Sequence, residues 1–249
     1  ANGNVYSLAA YAATDGTVND TVSAYRLRDG SLVWQRAISQ NFQSYYPNGF
    51  ATLAVDQSHV YAGSSDHGVH CFDAHSGAPV WQYPASGEVH AVAVSGDLAY
   101  AACEDGTLYA LDTRKGAPRW RYATGDAGFP APPVLSDGVV YVGSRSGHLY
   151  ALDAQTGVLY WRAFAGDNEQ TQLDHTILAQ PVLARGVVFA ASATNLYAFN
   201  VSNGKPRWSF TPPESDNILL PFSGYPQPYV VGGLVLLPDV GKKVYALNP

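Results

Sequence analysis

Five tryptophans, each preceded by a glycine four residues earlier, divide this chain into repeats. Successive tryptophans stand 39 to 47 residues apart, and the chain has no other tryptophan. Self-similarity at this period indicates a repeat architecture, in which each unit buries its apolar faces against its neighbours. The pairs are Gly30 and Trp34, Gly77 and Trp81, Gly116 and Trp120, Gly157 and Trp161, and Gly204 and Trp208.

The sequence around the tryptophans repeats as well. Residues 60–81, 99–120 and 140–161 align without a gap, and residues 188–208 form a copy that is one residue shorter. A degenerate first copy ends at Trp34, and a sixth begins at residue 234 and stops before its tryptophan. In each copy, short apolar runs separated by turn residues and by a D-x-x-x-G turn predict four strands connected as a meander.

Sheets of this kind cannot bury both faces alone, and radial packing with aromatic residues between the sheets solves that problem. The repeats therefore predict an all-β fold, a β-propeller of about six four-stranded antiparallel blades in a single domain, 1–249. We expect the strands missing from the first and last blades to lie outside this chain, and a piece of a larger ring is the alternative. The blade cores are predicted near residues 5–36, 51–83, 89–122, 131–164, 179–210 and 227–249.

The composition and charge of the chain argue against nucleic acid and membranes as partners. The net charge is −6, and the basic residues form no stripe of the kind that binds nucleic acid. No apolar run approaches the roughly 20 residues of a membrane helix, so no membrane insertion of this segment is expected. The chain contains no methionine, which suits a mature exported form or a domain of a larger protein. We therefore expect an extracytoplasmic location, in the periplasm or at the cell surface.

One segment, ALDAQTGVLYW (151–161), matches the pattern A-x-D-x-x-T-G-x-x-x-W in full, and residues 110–120 and 198–208 match it closely. This pattern resembles the tryptophan-docking repeat of quinoprotein-type (PQQ-like) β-propellers, over nearly the whole chain. That family contains quinone-dependent alcohol and glucose dehydrogenases, a scaffold lipoprotein of the outer-membrane β-barrel assembly machinery, and extracellular propellers attached to bacterial signalling kinases. The resemblance therefore implies the fold and leaves the function open.

The long segments of the chain are predicted to share one face of the blades. Turns between second and third strands lie at the same end of a meander as the links between blades, and the long segments 11–21, 38–50, 164–177 and 211–228 belong to these two classes. Aromatic residues on such loops are typical of contact surfaces, and packing over the blade ends is the alternative. The binding-face candidates are Phe42, Tyr45, Tyr46, Phe50, Asp174, His175, Gln180, Phe222, Tyr225 and Gln227.

No motif points to catalysis, so no catalytic residue, cofactor or metal is predicted. Many dehydrogenases of the resembled family carry an adjacent cysteine pair beside the quinone, whereas Cys71 and Cys103 each replace a small residue of the repeat. A disulfide between these two cysteines is the alternative. The acidic segment 167–175 could hold calcium, and His67 with His70 could hold a metal, although a solvated loop and a repeat substitution explain them as well.

These observations favour a non-catalytic propeller that acts as a scaffold or sensor. We expect it to be part of a larger exported or membrane-attached bacterial protein and to bind a protein or a small ligand through the long-loop face. The alternatives are a fragment of a quinone-dependent dehydrogenase, with bound PQQ and calcium, and a structural spacer that binds nothing.

Overall fold

The computed structural model describes residues 2–12, 17–39, 42–43, 52–125, 127–166, 176–192, 194–212, 227–238 and 243–249. These residues form strands and turns, and none of them lies in a helix. The chain divides into two compact units, Ala1–Gly125 and Asp126–Pro249, which we describe separately.

Unit 1 contains three antiparallel sheets, which we call blades 1 to 3. Blade 1 consists of β1 (Asn4–Ala12), β2 (Thr17–Arg26), β3 (Leu32–Ala37) and the short β4 (Phe42–Gln43). Blade 2 consists of β5 (Leu53–Val55), β6 (His59–Gly63), β7 (Gly68–Asp73) and β8 (Pro79–Pro84). Blade 3 consists of β9 (Val89–Ser95), β10 (Leu98–Cys103), β11 (Thr107–Asp112) and β12 (Pro118–Ala123).

Unit 2 contains blades 4 to 6. Blade 4 consists of β13 (Val134–Ser136), β14 (Val139–Gly143), β15 (His148–Asp153) and β16 (Leu159–Phe164). Blade 5 consists of β17 (Val182–Ala184), β18 (Val187–Ala191), β19 (Leu196–Asn200) and β20 (Pro206–Phe210). Blade 6 consists of β21 (Tyr229–Val231), β22 (Leu234–Pro238) and β23 (Val244–Leu247).

The predicted all-β class and the four-stranded antiparallel meander are confirmed, because blades 2 to 5 each pair their four strands in chain order. Blade 1 begins with the second strand of the repeat and blade 6 ends with the third, as the sequence indicates. One expectation is wrong: segment 11–21 is not a loop throughout, since β1 includes residues 11–12 and β2 includes residues 17–21. Backbone pairing between these strands extends the first hairpin.

A small residue at the centre of each complete repeat lies between two aromatic side chains. In blade 3, Ala110 pairs with Tyr100 on one side and with Trp120 on the other, and the two rings meet over it with centroids 5.9 Å apart. A larger side chain at this position would occupy the space of the rings, which explains why the repeat keeps it small. The equivalent triads are Tyr6–Ala24–Trp34, Tyr61–Cys71–Trp81, Tyr141–Ala151–Trp161 and Phe189–Ala198–Trp208.

Three of these tryptophans, Trp34, Trp81 and Trp161, bind the turn before the fourth strand of the following blade. The indole N–H of Trp81 donates a 2.9 Å hydrogen bond to the carbonyl of Thr113, and its ring covers Gly116. The turn requires glycine at position 116 for two reasons. A Cβ added to Gly116 would lie 2.6 Å from the Trp81 ring, and Gly116 has φ +67°, which other residues rarely adopt. Corresponding contacts join Trp34 to Ala74 and Gly77, and Trp161 to Val201 and Gly204.

Candidate binding face

Within each unit, the hairpin turns between second and third strands lie beside the links that leave the blades. In blade 2, the link residue Ala85 donates its N–H to the carbonyl of His67 at 2.7 Å, and in blade 3 the link residue Thr124 donates its N–H to the carbonyl of Gly106 at 3.1 Å. In unit 2, Ala165 donates to Gly147 at 2.8 Å. This end of the blades, with the turns at residues 64–67, 104–106 and 144–147 and the adjoining links, is the hairpin face.

Blade 1 extends farther at this end than blade 2. By the register of the aromatic triads, Leu8 corresponds to Gly63, where β6 ends, yet β1 continues four residues further to Ala12. Strand β2 likewise begins four residues before the position that corresponds to the start of β7. We call this additional part of the β1–β2 hairpin the blade 1 extension, and four residues correspond to about 13 Å of strand. Strand β4 pairs with this extension through Phe42 opposite Val18.

A buried carboxyl group holds the base of this extension. Asp20, in β2, is 2% exposed, and its Oδ2 accepts hydrogen bonds from the hydroxyls of Ser39, Ser64 and Ser65 at 3.0, 2.9 and 2.7 Å. The backbone N–H of Ser65 donates to the same oxygen at 2.8 Å. Because Ser64 and Ser65 belong to the hairpin turn of blade 2, this one oxygen joins blade 1 to blade 2.

The link that follows β3 is also hydrogen-bonded to Asp20. Ile38 donates its N–H to the carbonyl of Asp20 at 2.9 Å, and the hydroxyl of Ser39 lies 3.1 Å from the backbone nitrogen of Asp20. The chain therefore leaves blade 1 in a direction set by these bonds and returns at β4. Nothing in the repeat pattern pointed to this network of Asp20, Ser39, Ser64 and Ser65. The first copy is degenerate, and no alignment of the repeats relates Asp20 to the serines of the second copy.

A second polar pair lies in the turn of blade 2. The imidazole Nε2 of His70 lies 3.1 Å from both carboxylate oxygens of Asp66, and the ring stacks on Phe72. Burial acts to raise the pKa of Asp66, but hydrogen bonds from His70, Ser64 and the backbone of Gly68, with the charge of His70, lower it overall. His70 thus acts as the partner of a carboxylate, and within the described residues no three His, Cys, Asp or Glu side chains gather into a metal site.

The segments that lead into two of the innermost strands make hydrogen bonds between neighbouring blades at the hairpin face. The N–H of Thr52 donates to the carbonyl of His90 at 2.9 Å, joining the inner strands of blades 2 and 3. The side-chain amide of Gln180 donates to the carbonyl of Pro133 at 3.2 Å, across blades 4 and 5. Gln227 is half-buried and precedes β21.

The structure thus places three of the predicted binding-face residues. Phe42 lies in β4, while Gln180 and Gln227 lie at the starts of inner strands. The other seven candidates fall outside the described residues, so their place on this face stays a prediction: Tyr45, Tyr46, Phe50, Asp174, His175, Phe222 and Tyr225.

Both cysteines are buried free thiols, so the alternative of a disulfide between them is wrong. Cys71 fills the small-residue position between Tyr61 and Trp81, and Cys103 packs in the same core cluster. Burial is the largest cause that raises the pKa of Cys71 well above its usual range and that of Cys103 to about 12. Thiols in such surroundings are poor nucleophiles and poor metal ligands.

Comparisons with known proteins relate the chain to one family. The family described as outer membrane protein assembly factor BamB matches residues 18–128 and 124–249. The structure of BamB from Moraxella catarrhalis aligns over 98% of this chain and 86% of that one, with 20% sequence identity and a TM-score of 0.61. None of the curated proteins matches the chain.

Two further solved structures are similar in fold. Quinohemoprotein alcohol dehydrogenase from Comamonas testosteroni aligns over 90% of this chain and 50% of that one, with 18% identity and a TM-score of 0.70. A chain of the mitotic checkpoint complex aligns over 98% of this chain and 76% of its own, with 13% identity and a TM-score of 0.68. Similarity at these identities shows the fold alone. The described part of the chain contains no helix that could cross a bilayer.

Proposed function

This chain belongs to the family of the outer membrane protein assembly factor BamB, with PQQ-like β-propeller repeats, and we propose that it is a non-catalytic scaffold that binds a protein partner through its hairpin face. We further propose that the partner is a protein of an outer-membrane assembly apparatus. The chain would then act outside the cytoplasm, as part of a larger exported or membrane-attached protein. The family relationship supports both points.

The observation that carries this proposal is the extension of the β1–β2 hairpin with β4 paired to it. A binding segment loses less entropy on complex formation when its backbone is already held in place. The backbone pairing of Phe42 with Val18 holds β4 in place, and the hydrogen bond that the Ser39 hydroxyl donates to Asp20 holds the end of the link that follows β3. They also hold the start of the segment that carries the aromatic candidates Tyr45 and Tyr46.

The residue types favour a protein over a small ligand. Tyrosine and phenylalanine bury large areas at little cost in side-chain entropy, and they are enriched at the centres of protein interfaces. Segment 42–50 carries four of them within nine residues. A partner that binds segment 42–50 would therefore meet four aromatic residues.

The test is a binding titration against the partner captured by crosslinking from outer-membrane preparations. Exchanging Tyr45, Tyr46 and Tyr225 together for alanine is expected to weaken binding by roughly a hundredfold or more while leaving the unfolding midpoint unchanged. Tyr160→Ala is the matched control, because this exposed tyrosine begins the outer strand of blade 4, at the end opposite the hairpin turn. Unchanged affinity of the triple variant, or equal loss in the control, would show that the hairpin face is the wrong surface.

A quinone-dependent dehydrogenase is the second candidate, favoured by the fold shared with the Comamonas enzyme. The described residues do not fit such a site: Cys71 and Cys103 are separate core thiols, and no three metal-ligating side chains come together among these residues. We expect no absorbance change when PQQ and calcium are titrated into the protein. A saturable change would support the dehydrogenase and overturn the non-catalytic assignment.

A further inference from the structure

The turn before the fourth strand of blade 5 contains the dipeptide Asn203-Gly204. The equivalent turns of blades 2, 3 and 4 carry Ser76, Lys115 and Thr156 before their glycines. In an asparagine–glycine pair the backbone nitrogen of the glycine can attack the side-chain amide of the asparagine, because glycine has no side chain to obstruct the approach. The turn of blade 5 therefore contains both partners of a cyclisation reaction that its counterparts lack.

The folded turn engages the asparagine side chain. Asn203 lies at the surface, and its Oδ1 accepts a 3.0 Å hydrogen bond from the backbone N–H of Lys205. In blade 2 the Oγ of Ser76 accepts a 3.2 Å bond from the N–H of Ala78 in the same way. The carboxamide of Asn203 must give up its bond to Lys205 before it can rotate freely.

The attacking nitrogen is engaged and covered as well. The N–H of Gly204 donates to the carbonyl of Asn200 at 2.9 Å, and Asn200 donates its own N–H to the carbonyl of Lys205 at 2.9 Å. Gly204 is buried, and a Cβ added to it would lie 2.5 Å from the ring of Trp161. The indole N–H of Trp161 also donates to the carbonyl of Val201 at 2.9 Å. Cyclisation therefore requires the turn to open.

We propose that Asn203 is a latent site of spontaneous deamidation, closed while Trp161 covers the turn of blade 5 and opened when that contact is released. On opening, the nitrogen of Gly204 forms a bond to Cγ of Asn203, the bond from Cγ to the amide nitrogen breaks, and the Gly204 amide proton leaves with the departing ammonia. Water then adds to either carbonyl carbon of the five-membered succinimide and gives aspartate or isoaspartate. Water is the only co-reactant.

The isoaspartate product does not fit the native turn. It inserts one extra carbon into the main chain between residues 203 and 204, while the bonds from Gly204 to Asn200 and from Lys205 to Asn203 define the spacing of the present turn. Gly204 would then be displaced from the ring of Trp161, next to the start of β20 at Pro206. The reaction thus makes a transient opening permanent. It concerns the end of the blade opposite the hairpin turn, so it is independent of the proposed hairpin-face function.

The test ages the full chain at mildly alkaline pH, in buffer and in guanidinium, and follows deamidation at Asn203 by peptide mass spectrometry with an assay for isoaspartate. Deamidation is expected to be at least about tenfold faster in guanidinium, where the turn is open. The aged wild type should lose native stability, whereas aged Asn203→Ser, which reproduces the turn of blade 2, should not. Equal rates in the two solvents, or no deamidation of Asn203 in guanidinium, would overturn the proposal.

A matched pair of tryptophan variants separates local opening from global unfolding. Trp161→Phe keeps an aromatic ring but loses the N–H that binds Val201, so deamidation of Asn203 in the native protein should accelerate by roughly fivefold. Trp81→Phe removes the equivalent bond to Thr113 in unit 1 and should leave this rate unchanged. No acceleration in Trp161→Phe, or equal acceleration in both variants, contradicts control of the site by its own turn.

Discussion

The carboxylate Oδ2 of Asp20 lies 2.9 Å from the hydroxyl of Ser64, and this contact joins the first blade to the second across a buried boundary. The same oxygen accepts from Ser39 and from both donors of Ser65. One acidic residue therefore holds a strand, the link that leaves the blade and the neighbouring hairpin turn. If the hairpin face binds a partner, Asp20 is a positioning residue for it rather than a contact.

Removing this carboxyl group should destabilise the fold. In Asp20→Ala the three serine hydroxyls and the Ser65 N–H lose their acceptor in a buried place, which is expected to cost roughly 2–4 kcal/mol of unfolding free energy. Chemical denaturation measures this change. Asp29→Ala is the control, because Asp29 also accepts from a serine but does so at the surface, where water replaces the lost bonds. A change in Asp20→Ala no larger than in the control would mean that the network adds nothing to stability.

The docking of Trp34 on Gly77 predicts a sharp difference between two glycines. Gly77→Ala adds a methyl group 2.5 Å from the ring of Trp34 and strains a residue at φ +66°, which together should cost roughly 2–4 kcal/mol. Gly96→Ala introduces the same backbone strain without the collision and should cost only about 1 kcal/mol. Thermal or denaturant unfolding of both variants checks this, and equal losses would show that the tryptophan contact does not require glycine.

The Asp66–His70 pair predicts loss of stability in acid. Burial alone would raise the pKa of Asp66, but the hydrogen bonds and the charge of His70 lower it below the ordinary value of 3.8. A carboxyl group with a lowered pKa in the folded state stabilises the protein above its unfolded pKa, and the contribution is lost as pH falls through the folded pKa. The difference in unfolding free energy between the wild type and Asp66→Asn should therefore be constant near neutral pH and shrink below about pH 4. A difference independent of pH down to pH 2 would rule this pair out as the cause.

The burial of both thiols predicts slow chemistry in the native state. Because burial raises the pKa of Cys103 to about 12 and also raises that of Cys71, almost no thiolate exists near neutral pH. A disulfide-forming thiol reagent should label both cysteines at once in guanidinium and neither within minutes in buffer. Rapid labelling of the native protein would show that this core opens readily.

Much of the fold could be predicted because the copies of the repeat can be aligned with one another, so that each copy supports the strand assignment of the others. Five aligned tryptophans place the fourth strands, and the small residues at Ala110, Ala151 and Ala198 mark the centres of the blades. The prediction of a loop at 11–21 was wrong because the polar residues of that segment are typical of a loop. Backbone pairing between β1 and β2 makes residues 11–12 and 17–21 part of the strands instead. The aromatic residues of the long segments stay predictions, because no repeat relates them to one another.

The sequence by itself determined the period, the strand order within each blade and the residues that pack at each centre, because these depend on side-chain size and alternation along a short stretch of chain. Only the tertiary structure decided that Asp20 binds serines 44 and 45 residues away in the next blade. It also decided that the turn glycine Gly77 lies under the ring of Trp34, which belongs to the preceding blade. Both contacts depend on which side chains the neighbouring blade brings to a group, and the local sequence around that group does not contain this information.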